Sequence, residues 1–400
     1  MATELVILGG ARTAMAEYVG TPGFGAFKDV SAIDLGAVAA KAAMERSRVQ
    51  PAWVDHVFIG NALQTSGDAI YGARHVGLKA GVPQETPALT LNRLCGSGIQ
   101  SVVSAAHALL LGEATCTLAG GMENMSQAPH VVRGAREGFR FGAQVVLEDS
   151  LMVGLLDPFC GCYMAQTSDN CAKKYGITRQ AQDEFALRSH QEGARAVKGG
   201  LFKEEIVPVP VKRRKEMVPF ETDDHIKPET TLEALAKLPP AFGKDGTVTA
   251  GNASGIVDGA ACLVVATDRF AKDHGCPVLG RIVSWAAVGV EPAFMGMGPA
   301  PAIRKALEKA GLRLEQVDLF EINEAFAGQY LSVEKELGLD RARVNVNGGA
   351  IALGHPLGAT GTRLLLTVLM ELKRRKKSIG VASACIGGGQ GIAMVVRAEA

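Results

Sequence analysis

Val54-Asp55-His56-Val57 follows a stretch that carries Ala43-Met44-Glu45, and Val317-Asp318-Leu319-Phe320 follows one that carries Ala306-Leu307-Glu308, at the same spacing. In both places an Ala-rich helical stretch hands over to a short apolar strand that opens Val-Asp. Such self-similarity predicts an internal duplication. Working outward, residues 5–8 and 115–119 read as buried strands and residues 35–46 as a helix, while Ile99, Val102, Val103, Ala106 and Leu110 share one helical face. The far end repeats this order: strand at 278–285, helix at 302–310, strand at 317–322, helix at 364–372, then strands at 379–385 and 392–396. Strands alternating with helices predict an α/β layered fold.

Residues 126–256 break the rhythm. They hold Gly-rich and charged segments, the basic run Lys212-Arg213-Arg214-Lys215, Pro239-Pro240 and a helix over residues 179–197. This region reads as an insertion whose loops cover a site. The expected organisation is 1–125 plus 257–276 as the first half, 126–256 as an inserted loop domain and 277–400 as the second half.

Composition narrows the function classes. A chain of 400 residues is long enough for two or three core-forming units. Hydrophobic residues at 47% and charged residues at 21% suit a globular protein with a large core. A formal net charge of +1 gives no general attraction to nucleic acid or to an acidic membrane, and no apolar run is long enough to span a bilayer. The eight cysteines are dispersed, and Met1-Ala2-Thr3-Glu4 leads straight into a strand without a signal peptide. The tail Ala398-Glu399-Ala400 is no peroxisomal address. Free thiols in a cytoplasmic protein are the expectation.

Four segments carry chemistry. In Leu94-Cys95-Gly96-Ser97-Gly98 a helix follows the cysteine at once, so Cys95 sits near a helix N-terminus, where partial positive charge favours thiolate. The plain alternative is a small cysteine filling a gap at a strand–helix turn. His355 lies between Gly354 and Pro356 in a Gly-rich cradle, rigidly placed to take a proton from a thiol and later donate to an oxyanion, or simply to tie loops together. Cys385 ends an apolar strand and enters Gly387-Gly388-Gly389, read either as a tight hairpin turn or as backbone N–H groups facing a ligand. Asn323, at the end of the strand before Glu324-Ala325-Phe326, either orients a group or caps a helix. Two thiols, an imidazole and an amide suit acyl transfer and carry no metal-ligand spacing. Cys160-Gly161-Cys162 lacks partner ligands and reads as a loop feature. The run Lys373-Arg374-Arg375-Lys376-Lys377 reads as a solvated last helical turn.

In combination these segments resemble the thiolase family, over essentially the whole chain. The resemblance extends to Ala11-Arg12-Thr13, to 120–126 (Gly-Gly-Met-Glu-Asn-Met-Ser) and to 246–255 (Gly-Thr-Val-Thr-Ala-Gly-Asn-Ala-Ser-Gly). Through residues 66–71 and 86–94 it is similar above all to the degradative 3-ketoacyl-CoA thiolases, with acetyl-CoA acetyltransferases close behind. It implies a duplicated αβαβα layered fold and reversible thiolytic cleavage of 3-ketoacyl-CoA through an acyl-Cys95 intermediate. His355 would activate the thiol and Cys385 would move the α-carbon proton. One oxyanion hole would be formed by His355 and a water held by Asn323, the other by the N–H groups of Cys95 and Gly387. Coenzyme A would be a substrate, with no cofactor and no metal. Its contacts and those of the acyl substrate would include Lys227, Ser254, Ala250, Met164, Tyr163, Leu155, Ala325 and Phe326, with Met295 bordering the acyl pocket. Members of the family often carry Arg where this chain has Lys227, which keeps the charge and loses planar stacking. Many short-chain members have His where this chain has Tyr163, which leaves chain-length preference open. The family implies a homodimer or homotetramer, with acyl-CoA and CoA as the only partners. Two other readings share the fold: a decarboxylating condensing enzyme, which the thiol at Cys385 disfavours, and a non-catalytic lipid-binding protein, which the intact Cys95, Asn323, His355 and Cys385 set disfavours.

Overall fold

The computed structural model describes residues 3–399; Met1, Ala2 and Ala400, which enter the readings of the two ends, lie outside the described residues. The first half runs β1 (Leu5–Thr13), α1 (Ala32–Ser47), β2 (His56–Gly60), α2 (Gly72–Ala80), β3 (Ala88–Leu91), α3 (Ser97–Leu110) and β4 (Cys116–Glu123). Between β4 and the next long strand come two long helices, α4 (Met164–Tyr175) and α5 (Arg179–Lys198), among short hairpins and single helical turns. Then β5 (Val257–Thr267) completes the first half. The second half runs β6 (Gly280–Gly289), α6 (Pro299–Ala310), β7 (Leu319–Ile322), α7 (Ala327–Leu337), α8 (Leu357–Arg375), β8 (Ile379–Ile386) and β9 (Gln390–Ala398).

The strands lie in the order β7-β8-β9-β6-β1-β5-β4-β2-β3. Read outward from the middle, β1-β5-β4-β2-β3 mirrors β6-β9-β8-β7. A lone parallel bridge between Phe320 and Val344 stands where the first half has the β2–β3 pairing. The halves join where β1 runs antiparallel to β6, Val6 opposite Arg281. Duplication therefore extends to topology and edge pairing.

The repeated Val-Asp has an atomic reason. Val54 and Val317 are buried anchors at the two strand entrances. Asp55 Oδ2 accepts from the N–H groups of Thr115 and Cys116 at the start of β4. Asp318 Oδ2 accepts from Ser378 and Ile379 at the start of β8. Each carboxylate ties its own strand to the neighbouring one.

Period-two alternation along the central strands builds the layers. Val6 and Leu8 face an outer core with α1 and α2, while Leu5 and Ile7 face a central core with α3 and α8. Likewise Val395 faces the second outer core with α6 and α7, and Met394 and Val396 face the centre. With both faces covered, the central strands are mostly apolar. The result is helix, sheet, helix, sheet, helix.

The middle layer positions the site. α3 and α8 meet near their N-termini, where a Cβ on Gly98 would lie 2.4 Å from Thr362 N and one on Gly361 2.4 Å from Ile99 N. Only glycine allows two backbones this close. Residues leading into both helices, Cys95 and His355, are thereby drawn to one place. The segment between β4 and β5 is pinned by buried charge: Arg12 grips Asp223 through two bonds of 2.8 and 2.9 Å and Glu205 through one of 3.0 Å.

Candidate active site

Cys95 occupies a single 3-10 turn, Leu94–Gly96, that feeds directly into α3. Leu94 has φ of 47°, a conformation that costs a branched residue free energy and marks a forced bend. The bend is held from three sides. Asn92 Oδ1 accepts from Leu94 N–H at 2.8 Å, Ser97 Oγ accepts from Arg93 N–H at 2.8 Å, and the Ser97 hydroxyl donates to Leu94 O at 2.7 Å. Cys95 is thus turned out of the chain and remains partly exposed.

Two predicted residues converge on that sulfur. The backbone N–H of Gly387 faces it and favours its thiolate, and the Cys385 thiol is close enough to feel its charge. Cys95 packs against the buried cluster of Met125, Leu151 and Leu357, the last of which lies two residues beyond His355. Gly387 belongs to the turn between β8 and β9, where Cys385 pairs with Gly391. Gly388 and Gly389 have φ of 78° and 82°, which turns the strand back and leaves the Gly387 N–H free to point at Cys95.

His355 is buried, 5% exposed. Its N–H donates to Gly255 O at 2.9 Å, which fixes the backbone. The Thr360 hydroxyl donates to Pro356 O at 3.0 Å, so its oxygen accepts from His355 Nδ1–H at 2.6 Å. That chain of donors leaves Nε2 as the bare lone pair. Nε2 meets the Asn323 amide nitrogen at 3.2 Å. Asn323 Oδ1 is buried without a partner among the described residues.

Electrostatics set the resting state. Burial pushes the Cys95 thiol up to about 11, against the lowering effect of the Gly387 N–H, and Glu123 adds to the rise. Burial, with Arg363 behind it, takes His355 down to about 3. Cys385 is raised well above the ordinary thiol value, first by burial and then by Cys95 and Cys171. At neutral pH the resting groups are therefore neutral thiol and neutral imidazole.

The remaining predicted residues divide. Met295, Ala325 and Cys385 form one buried cluster with Met164 and Phe326 against it. Met164 Sδ is 3.3 Å from where a Cβ on Gly387 would stand. Met164 N–H donates to Leu155 O at 2.9 Å, and the Tyr163 ring lies 5.2 Å from Phe242. Ser254 N–H donates to Ala325 O at 3.0 Å, joining that segment to the Asn323 loop. Lys227 and Ala250 are exposed on surface segments outside this buried cluster.

Supporting residues escaped sequence reasoning. Glu123 accepts from the N–H groups of Ala62, Leu63 and Gly358 and from the Asn61 amide, tying the first turn of α8 to β4. Burial raises it to about 7. Glu324 accepts from Ser189, Asn345 and Ile351 and fills the space beside Gly349. The His225 ring, bonded to Glu17 at 3.0 Å, packs against Gly255, whose carbonyl holds His355. Thr360 fixes the imidazole tautomer. A hydroxyl one turn into a helix after Gly-His-Pro was the only legible signal among them.

Comparison with known proteins agrees with this geometry. The family models for the thiolase N-terminal and C-terminal domains match residues 5–269 and 276–398. The chain belongs to the thiolase family. It is 52% identical to the mitochondrial 3-ketoacyl-CoA thiolase of Homo sapiens, over 94% of this chain and 95% of that protein. It is 48% identical to an acetyl-CoA acetyltransferase of Cupriavidus necator, over 98% and 99%. A crystal structure of the human mitochondrial thiolase in complex with CoA superposes at a TM-score of 0.96 with 49% identity, covering 100% of this chain and 99% of that one. The duplicated α/β expectation is thereby met.

Proposed function

We propose that this thiolase cleaves 3-ketoacyl-CoA by way of an acyl group on Cys95, and runs the reverse condensation through the same intermediate. The supporting observation is the convergence on one sulfur of the Gly387 N–H and the Cys385 thiol, with Leu357 carrying the His355 loop alongside. The activity is that of an acyltransferase, and the human relative's name, 3-ketoacyl-CoA thiolase, supports the cleavage direction.

In this reading Cys95 Sγ attacks the 3-keto carbon as its proton passes to His355 Nε2. The developing oxyanion meets donors in place before reaction, which is where such groups act most strongly. When the bond between C2 and C3 breaks, Cys385 gives a proton to the acetyl-CoA enolate. Coenzyme A then attacks the thioester on Cys95 and carries the shortened acyl group away. A thiol with a raised pKa is a fitting acid for this step, since it holds its proton at neutral pH.

Leu155, Tyr163, Met164, Ala250, Ser254 and Lys227 are assigned to coenzyme A, and Met295, Ala325 and Phe326 to the acyl pocket. Residues 1–125 with 257–276, 126–256 and 277–400 are assigned as two halves and an inserted loop domain, which limited proteolysis would test by cutting first within 126–256. A cytoplasmic homodimer or homotetramer completes the assignment. Light scattering tests the assembly, and cell fractionation tests the compartment against the mitochondrial naming of several relatives.

Acetoacetyl-CoA synthesis is the second reading, favoured by likeness to the Cupriavidus necator protein over nearly the whole chain. A ladder of 3-ketoacyl-CoA substrates separates the two. The first reading predicts kcat/KM sustained or rising beyond the four-carbon substrate; activity confined to acetoacetyl-CoA would establish the second.

A further inference from the structure

Three of the eight cysteines are partly exposed and five are buried. One of the three is Cys95. The others, Cys160 and Cys162, have no part in the chemistry above. They lie at the tip of a hairpin in which Leu156–Asp157 runs antiparallel to Cys162–Tyr163, with Asp157 opposite Cys162. Gly161, between the two thiols, has φ of 69°, and its N–H donates to Asp157 O at 2.9 Å. That left-handed turn folds the two cysteines onto one side. The two thiols lie close enough for each to feel the other's charge. Cys162 Sγ also lies 3.6 Å from Cys160 O, and Cys160 Sγ 4.0 Å from Asp157 O.

The other end of the same hairpin reaches the site. Leu155 precedes its first strand, Tyr163 ends its second, and Met164 bonds back to Leu155 O while its sulfur lies beside Gly387. A change at the tip is therefore one residue from a wall of the site.

We propose that Cys160 and Cys162 are a reversible dithiol switch whose oxidation weakens binding of coenzyme A. The oxidant is a low-molecular-weight disulfide, RSSR. One cysteine thiolate attacks a sulfur of RSSR and expels RS⁻, which takes up a proton, leaving a mixed disulfide. The second cysteine attacks the protein sulfur of that mixed disulfide and expels the second RSH. Two S–H groups are lost, one S–S bond forms in the protein, and RSSR is reduced to two RSH. Bridging needs Cα atoms about 4.4–6.8 Å apart, a range that a turn at one left-handed glycine suits. Once bridged, neither sulfur can donate to the turn carbonyls, and both must rotate towards each other. Tyr163 follows Cys162 directly and moves with it. The switch rests on the assignment of Leu155, Tyr163 and Met164 to coenzyme A.

The test uses the full-length enzyme. It is equilibrated with glutathione at graded oxidised-to-reduced ratios, digested without reduction and mapped by mass, while the KM for coenzyme A in thiolysis is measured on the same samples. The expected result is a 160–162 disulfide, a KM for coenzyme A raised roughly tenfold, as for the loss of one good contact, a kcat largely kept, and full recovery with dithiothreitol. C160S and C162S should each keep the reduced-enzyme KM under all ratios. The proposal is overturned if no 160–162 disulfide forms in an enzyme that turns over normally, if it forms with KM unchanged, or if C160S shows the same rise. A reduced enzyme with no coenzyme A-dependent turnover would overturn the switch and the assignment beneath it together.

Discussion

Cys95 and His355 stand at equivalent points of the two halves, each in the loop that feeds a middle-layer helix, yet the loops are built differently. The Cys95 loop bends through a left-handed Leu94 and leaves its thiol partly exposed. The His355 loop is buried and holds its ring from Thr360, with the backbone fixed by Gly255. The preceding strand ends diverge in the same way. Asn61 closes β2 and spends its amide on Glu123 and on Met122 O, a wholly structural use. Asn323 closes β7, turns its amide to His355 and keeps Oδ1 unpartnered among the described residues. Duplication delivers the two loops to one spot, and the proposed chemistry sits where the copies have ceased to be alike.

Breaking that asymmetry should have graded effects. Cys95→Ala removes the nucleophile and should lower kcat by roughly 10⁴-fold or more, as for other nucleophile losses, with the fold intact by circular dichroism. His355→Ala should cost about 10³-fold within the range for a positioned base, and iodoacetamide should label its Cys95 more slowly than in the parent. Asn323→Ala should lower kcat by about 10²-fold with KM little changed, as expected for an oxyanion contact. Its copy should behave otherwise. Asn61→Ala should reduce stability by about 1–3 kcal/mol through the unpaired buried groups it leaves, read by urea unfolding, with kcat changed far less than by Asn323→Ala. Equal kinetic losses at the two asparagines would erase the distinction.

The smallest effect concerns pH. His355 is held at about 3 by burial, below the ordinary value of 6.5. Between those values the unfolded chain binds a proton that the folded one refuses, so this residue's contribution to stability falls as pH drops through that window. His355→Gln should flatten the acid limb of stability between about pH 6 and 4. An acid limb unchanged in that variant would place the loss of stability elsewhere.

Much of the scaffold was legible because duplication repeats its signals. The Val-Asp pair marks both strand entrances, and the helices at 35–46 and 302–310 extend to Ala32–Ser47 and Pro299–Ala310 once caps and turns are included. β5 gave no clear strand signal. Val257–Thr267 is buried on both faces, so its apolar run has no alternation to separate strand from helix. Among the proposed site residues, Cys95, His355, Cys385 and Gly387 stand out in the sequence because glycine and proline around them announce special backbone. Glu123, Glu324 and His225 could not. A buried carboxylate held by N–H groups from distant loops has no local pattern, since its partners are fixed only by the tertiary fold. Asn61 and Asn323 both end apolar strands, and the neighbour each amide meets divides them.

Intact-mass measurement after mixing with acetyl-CoA, followed by peptide mapping, tests the acyl-Cys95 intermediate most directly. One acetyl group should appear on the peptide containing Cys95, persist in Cys385→Ala, vanish in Cys95→Ala and leave on addition of coenzyme A. An unmodified Cys95 in an enzyme that still turns over, or an acetyl group on any other residue that coenzyme A removes at the rate of turnover, would contradict the account.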